Sequence, residues 1–273
     1  MKIGFIGYGN MGGAIINGLI TTGVVTREDI FISGPTLEET EADAQTHQLT
    51  SAFPHENLVK NVDVVILAVK PYLIHDIIRE IRETLREKEV LLISIAAGKT
   101  IAELEKAVKH SQQSIVRVMP NVNAAVGASV TGITANQATT PEQIAIVKSI
   151  FESIGSVYLI EEKDFSIFTA LAGSAPAFAY LFIDALARSS VKHGLSKELA
   201  TKIAAEMLLG SAKLVNQTGE SPWELIDKVS SPGGTTIEGV LSLESDGFVG
   251  NVSRAIDATF KKDRKLSLAK ELS

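Results

Sequence analysis

The sequence predicts an α/β protein: an N-terminal doubly wound domain over residues 1–161, followed by an all-α domain over residues 162–273. Three observations carry this. Through the first half, short β-branched runs alternate with helical stretches, the pattern of strands joined by crossover helices. Several of those runs are apolar almost throughout, as expected of strands buried on both faces of a parallel sheet. After about Glu162 strand signals stop and helical periodicity dominates.

Lys2–Ile6 reads as the first strand and Met11–Thr22 as the first helix. Ile30–Ser33 is the second strand, and Val62–Val69 a nearly continuous apolar strand. Pro71 opens a helix, where its missing N–H costs nothing. Val90–Ile95 is another buried strand, and it ends in Ala96-Ala97-Gly98. Thr100 caps the next helix with Glu103 three residues on, a capping box. Ile115–Met119, Ser129–Thr134 and Val157–Ile160 complete the strands. The second half reads as helices at Ala175–His193, Lys197–Asn216, Trp223–Val229, Thr236–Glu244 and Phe248–Glu271. The first of these is apolar on nearly all sides in its N-terminal half, and such a helix needs burial on all sides. A helical domain of this size is expected to bury it against a second copy of the chain.

The 273 residues carry a formal charge of −6, 45% hydrophobic residues and no cysteine. The acidic balance argues against a nucleic-acid partner. The lack of cysteine excludes disulfides, thiol catalysis and thiolate metal sites, and fits a reducing cytoplasm. Gly4, Gly7 and Gly9 break the opening apolar run before it reaches secretory length. The longest apolar runs, Val64–Val69 and Ala175–Ile183, fall short of a membrane span. The five histidines are scattered without ligand spacing, so no metal is expected.

Gly7-Tyr8-Gly9-Asn10-Met11-Gly12, entered from Ile6, is a G-x-G-x-x-G placed between a strand and a helix. In that context Gly7 permits the tight turn, Gly9 lets the backbone approach a pyrophosphate, and Gly12 lets the helix lie close on the strand. The free N–H groups of the helix start then face the anion. A nicotinamide dinucleotide is the expected cofactor. The tip of the second strand is Ser33-Gly34-Pro35-Thr36, with no carboxylate to repel a 2′-phosphate. Ser33 and Pro35 are therefore expected beside the ribose, with NADPH favoured and NADH as the alternative. Ala68-Val69-Lys70-Pro71 and Ala96-Ala97-Gly98 end buried strands, where ligands bind in doubly wound sheets. In the second domain Ser230-Ser231-Pro232-Gly233-Gly234-Thr235-Thr236 is a glycine turn running into a helix. Its N–H groups suit a carboxylate, and its hydroxyls suit a second polar atom.

These motifs, in this order and together with Arg117-Val118-Met119-Pro120-Asn121, resemble pyrroline-5-carboxylate reductase over nearly the whole chain. The Ser-Ser-Pro-Gly-Gly-x-Thr stretch is the most specific of them. The resemblance implies a Rossmann domain, an interleaved helical dimerisation domain, and reduction of 1-pyrroline-5-carboxylate to L-proline by NADPH. It implies a small-molecule substrate held by Glu162, Ser231, Gly233, Gly234, Thr235 and Thr236, with Thr236 as the catalytic residue. It places Glu162 near the substrate entrance. The chain departs from the family pattern at Asn123, Ala172, Ala175 and Arg188-Ser189-Ser190. An Asn that holds the adenosine ribose in relatives falls at His55 or Asn57. Two other readings compete. A β-hydroxyacid dehydrogenase needs a helix-borne lysine, and after Gly173 none occurs until Lys192. A regulatory NADP-binding paralogue would not need Thr236.

Overall fold

The computed structural model describes residues 1–271. Apolar segments with branched side chains form the strands, and polar or amphipathic segments return the chain. In order these are β1 (Ile3–Ile6), α1 (Asn10–Thr21), β2 (Ile30–Ser33), α2 (Leu37–His47), β3 (Thr50–Ser51), α3 (His55–Asn61) and β4 (Val64–Leu67). There follow α4 (Ile74–Glu87), β5 (Leu91–Ser94), α5 (Ile101–Val108), β6 (Ile115–Met119), β7 (Ser129–Ala135), α6 (Pro141–Glu152) and β8 (Gly155–Leu159).

The eight strands form one sheet in the order β3-β2-β1-β4-β5-β6-β7-β8. All neighbours are parallel except β6 and β7. The order reverses between β1 and β4, and a crevice at such a switch point is where doubly wound sheets bind ligands. Alternate residues feed opposite faces. Ile3 and Phe5 join Ile15, Leu19, Ile150 and Phe151 on one face. Ile6, Val65 and Leu67 join Leu58, Ile78, Ile81 and Leu104 on the other. Gly4 lacks a side chain because α3 lies there: a Cβ would sit 2.3 Å from Leu58 Cδ2.

Two differences from the sequence reading stand out. The fourth strand is Val64–Leu67, shorter than Val62–Val69. Pro71 opens a 3-10 turn, Pro71–Leu73, and the α-helix starts only at Ile74. The capping box of Thr100 and Glu103 is present as expected.

The chain divides into two compact units. One comprises Met1–Gly173 together with the chain from Lys262, and the other is Ser174–Lys261. The sequence boundary after residue 161 marks the end of the strands. Beyond it come a 3-10 turn (Glu162–Asp164), α7 (Phe165–Phe168) and a π-helical turn (Thr169–Ser174). The helices α8 (Pro176–Lys192), α9 (Lys197–Thr218), α10 (Pro222–Val229), α11 (Thr235–Ser245) and α12 (Phe248–Glu271) follow. The helical stretch Glu162–Lys192, 31 residues, is long and apolar enough by length and composition to cross a membrane. The sequence reading put every apolar run below that length because it ended the run at Ile183. The π-helical turn, Thr169–Ser174, leads through Ala175 into α8.

The second unit buries little by itself. Among its described residues the fully buried hydrophobic ones are Ala187, Ala200 and Ala204, small residues of α8 and α9. Tyr180, Leu181, Ile203, Leu209, Trp223 and Val249 are all exposed.

Candidate cofactor groove and anion nest

The glycine loop follows β1 at the switch point, and each glycine has a distinct reason. Gly7 has φ +94°, and a Cβ there would lie 2.8 Å from the Ala68 carbonyl oxygen. Gly12 packs α1 down on the loop, with a Cβ position 3.4 Å from the Gly7 carbonyl and 3.5 Å from Ala68 Cβ. A Cβ on Gly9 meets nothing within 4 Å. The space above Gly9 is therefore open, and Gly9 is the N-cap of α1 with no side chain capping it. A pyrophosphate fits this cradle: the first N–H groups of α1 are left without side-chain partners and the helix dipole favours an anion.

A groove of about 550 Å³ brings together Gly7, Tyr8, Gly9, Asn10, Met11, Ala68, Val69, Lys70 and Ala97. These are nine of the residues expected at the cofactor. Lys70 stands in it without an ion pair among the described residues. The groove also takes in Leu73, Ile95, Met119 and Pro120. Met119 and Pro120 lie in the Arg117–Asn121 motif, and that motif was the signal available for them.

Other expected cofactor residues stand outside the groove. Ile6 is buried in the core, and Gly12 packs α1 against the Gly7 carbonyl. Ala96 is buried, with its N–H directed at Ser94 Oγ at 3.4 Å. Pro71 and Gly98 shape turns at its rim, Gly98 with φ +69°. At the tip of β2, Ser33 is 1% exposed and its hydroxyl is turned inward, 2.7 Å from His55 Nδ1. The Ser33 side chain is thus engaged by His55, while Pro35 and Thr36 stay on the surface. His55, not Asn57, meets the strand tip: Asn57 is exposed, its Nδ2 donating to the Phe53 carbonyl at 3.5 Å and its Oδ1 accepting from Asn61 Nδ2 at 3.2 Å. Burial holds the His55 imidazole below the ordinary histidine range, against a smaller opposing effect of Glu56.

Glu162 Oε1 accepts from the Ile101 N–H at 2.7 Å and from Arg117 Nη1 at 3.0 Å. Arg117 is 8% exposed, and its guanidinium lies 4.3 Å from the centre of the Phe165 ring.

In the second unit the glycine turn is built as the sequence implied, with one change. Gly233 has φ +67°. The Gly234 N–H is spent on the Ser231 carbonyl at 3.0 Å, closing the turn. Gly234 is the N-cap of α11, and no side chain caps that helix. The Thr235 and Thr236 N–H groups therefore begin an uncapped helix. The Thr236 hydroxyl is not the helix cap. Ser230 Oγ is buried without a hydrogen-bond partner among the described residues. Among the described residues no group of His, Asp and Glu is arranged to hold a metal.

Residues 162–266 match the family model for pyrroline-5-carboxylate reductase dimerisation, and residues 2–98 match that for NADP oxidoreductase, coenzyme F420-dependent. The pyrroline-5-carboxylate reductase of Escherichia coli is 40% identical over 97% of this chain and 98% of its own. The solved 1-pyrroline-5-carboxylate reductase of Streptococcus pyogenes is 40% identical, with a TM-score of 0.85 over 97% of this chain and 98% of that one. The pyrroline carboxylate reductase of Plasmodium falciparum, solved with NADP bound, is 34% identical, with a TM-score of 0.85 over 98% of both chains. Near-complete coverage at this identity, on a doubly wound sheet with an intact glycine loop and a Ser-Ser-Pro-Gly-Gly turn, makes this chain a member of the pyrroline-5-carboxylate reductase family.

Proposed function

We propose that the protein reduces 1-pyrroline-5-carboxylate to L-proline with NADPH. The observation that carries this is the uncapped start of α11, where two threonines follow the Gly233-Gly234 turn, in a chain 40% identical to a reductase of that name. When bound, NADPH supplies the hydride that the C=N carbon takes up. The chain's residues bind and orient. The glycine loop with Asn10 and Met11 takes the pyrophosphate at the α1 N-terminus. Ala68, Val69, Lys70 and Ala97 line the remainder of the groove. Pro35 and the backbone beside Ser33 face the ribose.

On the substrate side, Gly233 sets the turn and the Thr235 and Thr236 N–H groups hold the carboxylate. Ser231 supports the turn through its carbonyl. The Thr236 hydroxyl hydrogen-bonds the ring nitrogen as charge moves onto it. A cyclic imine is basic enough to arrive protonated, so positioning and charge stabilisation replace a strong general acid. This agrees with the absence of a His or carboxylate in the motif.

The apolar surface of α8 to α12 supports pairing with a second copy, in keeping with the dimerisation model that residues 162–266 match. That pairing also accounts for the apolar Glu162–Lys192 stretch without a membrane. A cysteine-free chain suits the cytoplasm. The test is NADPH oxidation followed at its absorbance band with 1-pyrroline-5-carboxylate as substrate, and proline measured as product. Stoichiometric proline is expected. Turnover of a 3-hydroxy acid, with none of the imine, would reverse the assignment.

A further inference from the structure

We infer that Glu162 is a positioning residue that ties together two segments lining one end of the cofactor groove. The inference rests on the groove being the cofactor site. Its basis is one oxygen atom with two donors from different elements. Glu162 Oε1 accepts from the Ile101 N–H at 2.7 Å and from Arg117 Nη1 at 3.0 Å.

Ile101 is the first residue of α5, and its N–H has no partner within the helix. The turn just before it carries Ala97, which lines the groove. The neighbouring donor of that turn, the Thr100 N–H, is taken by Glu103 Oε2 at 2.8 Å. The capping box is thus local, whereas the Ile101 bond reaches 61 residues along the chain. A carboxylate at a helix N-terminus is also favoured by the dipole. Arg117 lies in β6 two residues before Met119, and Met119 and Pro120 line the groove as Ala97 does. The Arg117 guanidinium is held from a second side by Phe165 at 4.3 Å. Glu162 therefore ties the β5–α5 turn to β6. Without it, Arg117 is a buried charge with no carboxylate, and the Ile101 N–H loses its acceptor. Both changes loosen the residues that bound the groove.

Two protein donors on Oε1 fix the orientation of the Glu162 carboxylate without any ligand. Three variants decide it. Glu162→Ala removes both bonds. Glu162→Gln keeps an oxygen for the Ile101 N–H but gives up the charge opposite Arg117. Arg117→Lys keeps a cation but loses the planar fork. Two readouts are taken on each. Hydrogen–deuterium exchange of the peptide spanning residues 95–101 needs no catalysis. Steady-state kinetics are then taken with NADPH and 1-pyrroline-5-carboxylate.

In Glu162→Ala the peptide 95–101 exchanges faster, while the Gly7–Gly12 loop exchanges as in the wild type. Its kcat falls roughly ten- to hundredfold, the scale of a misplaced reactant, with NADPH affinity nearly kept. Glu162→Gln recovers most of the exchange protection and most of kcat. Unchanged exchange at 95–101 in Glu162→Ala overturns the inference, whatever the activity. So does a rise confined to the KM for the imine, which would make Glu162 a substrate contact. A wild-type protein that does not turn over the imine would defeat the functional reading, and the exchange result would still decide this one.

Discussion

Ser33 Oγ and His55 Nδ1 lie 2.7 Å apart at the buried tip of β2, next to the exposed Pro35 and Thr36. The two residues come from separate elements, one ending β2 and one opening α3. The imidazole is held below its ordinary pKa chiefly by burial. Folding therefore favours the neutral ring. Above about pH 6.5, the unperturbed histidine value, that contribution is fully present, because neither state binds the proton. As the pH falls from there towards the lowered folded pKa, the unfolded chain takes up a proton that the folded one refuses, and stability is lost. Melting temperatures measured from pH 8 to pH 5 should fall more steeply for the wild type than for His55→Asn. Parallel curves would show that His55 is not the group responsible.

The loop glycines should separate binding from folding. At Gly9 φ is −109° and the Cβ direction is open, so Gly9→Asp costs the fold little. It sets a carboxylate where the pyrophosphate lies, and NADPH affinity should collapse. Gly7→Ala should act the other way. Its φ of +94° and the 2.8 Å approach to the Ala68 carbonyl impose strain of about 1–3 kcal/mol. Fluorescence titration with NADPH and thermal melts on both variants check this. Undiminished binding by folded Gly9→Asp would remove the loop from the cofactor site.

The strand pattern and the glycine loop were legible because each rests on local chemistry. A run such as Val64–Leu67 is apolar on both faces, and Thr100 with Glu103 is a complete cap signal. Four elements escape the sequence reading, although α2 and α6 carry cap signals of their own: Thr36 accepts from the Glu39 N–H, and Thr140 and Gln143 form a capping box. Helix α2 is mostly polar, with only Thr40 and Ala44 buried. Helix α3 has seven residues and begins right after a proline. Helix α6 packs through Val147, Ile150 and Phe151, spaced as a helix, and starts at Pro141 behind the Thr140 cap. Strand β3 is two residues at a sheet edge. The site was legible in its backbone and less so in its side chains. Glycines declare a turn through what they lack. The Ser33–His55 and Glu162–Arg117 contacts span 22 and 45 residues, and only the fold brings them together.

Assembly should follow from the helical unit. Leu181 is 70% exposed on α8, and Leu209 is 71% exposed on α9. Three alanines supply the fully buried hydrophobic side chains among the unit's described residues. Each large apolar side chain covered by a partner is worth about 1.5–3 kcal/mol. Light scattering at micromolar concentration should give a dimer or a multiple of it. Leu181→Glu should shift the population towards monomer. A monomeric wild type at that concentration would refute the pairing.

Thr236→Ala tests the chemistry most directly, and the structure sharpens the test. It removes one hydroxyl and almost no volume. The N-cap of α11 is Gly234, and no side-chain oxygen caps the helix. The usual cost of about 1 kcal/mol for losing a cap should therefore be absent, and the melting temperature should stay where it is. If the hydroxyl bonds the imine nitrogen, its loss removes a hydrogen bond to a charged partner, about 1.5–3 kcal/mol. That interaction grows as charge moves onto nitrogen, so the loss falls on kcat/KM, roughly a ten- to hundredfold drop. NADPH affinity should be unchanged, because the glycine loop lies in the other compact unit. Thr235→Ala, one residue earlier in the same uncapped turn, is the control. Its backbone N–H survives the substitution, so carboxylate binding should persist and kcat/KM should fall less. Equal losses in the two variants would spread the effect over the turn, and unchanged kcat/KM in Thr236→Ala would take the hydroxyl out of the reaction.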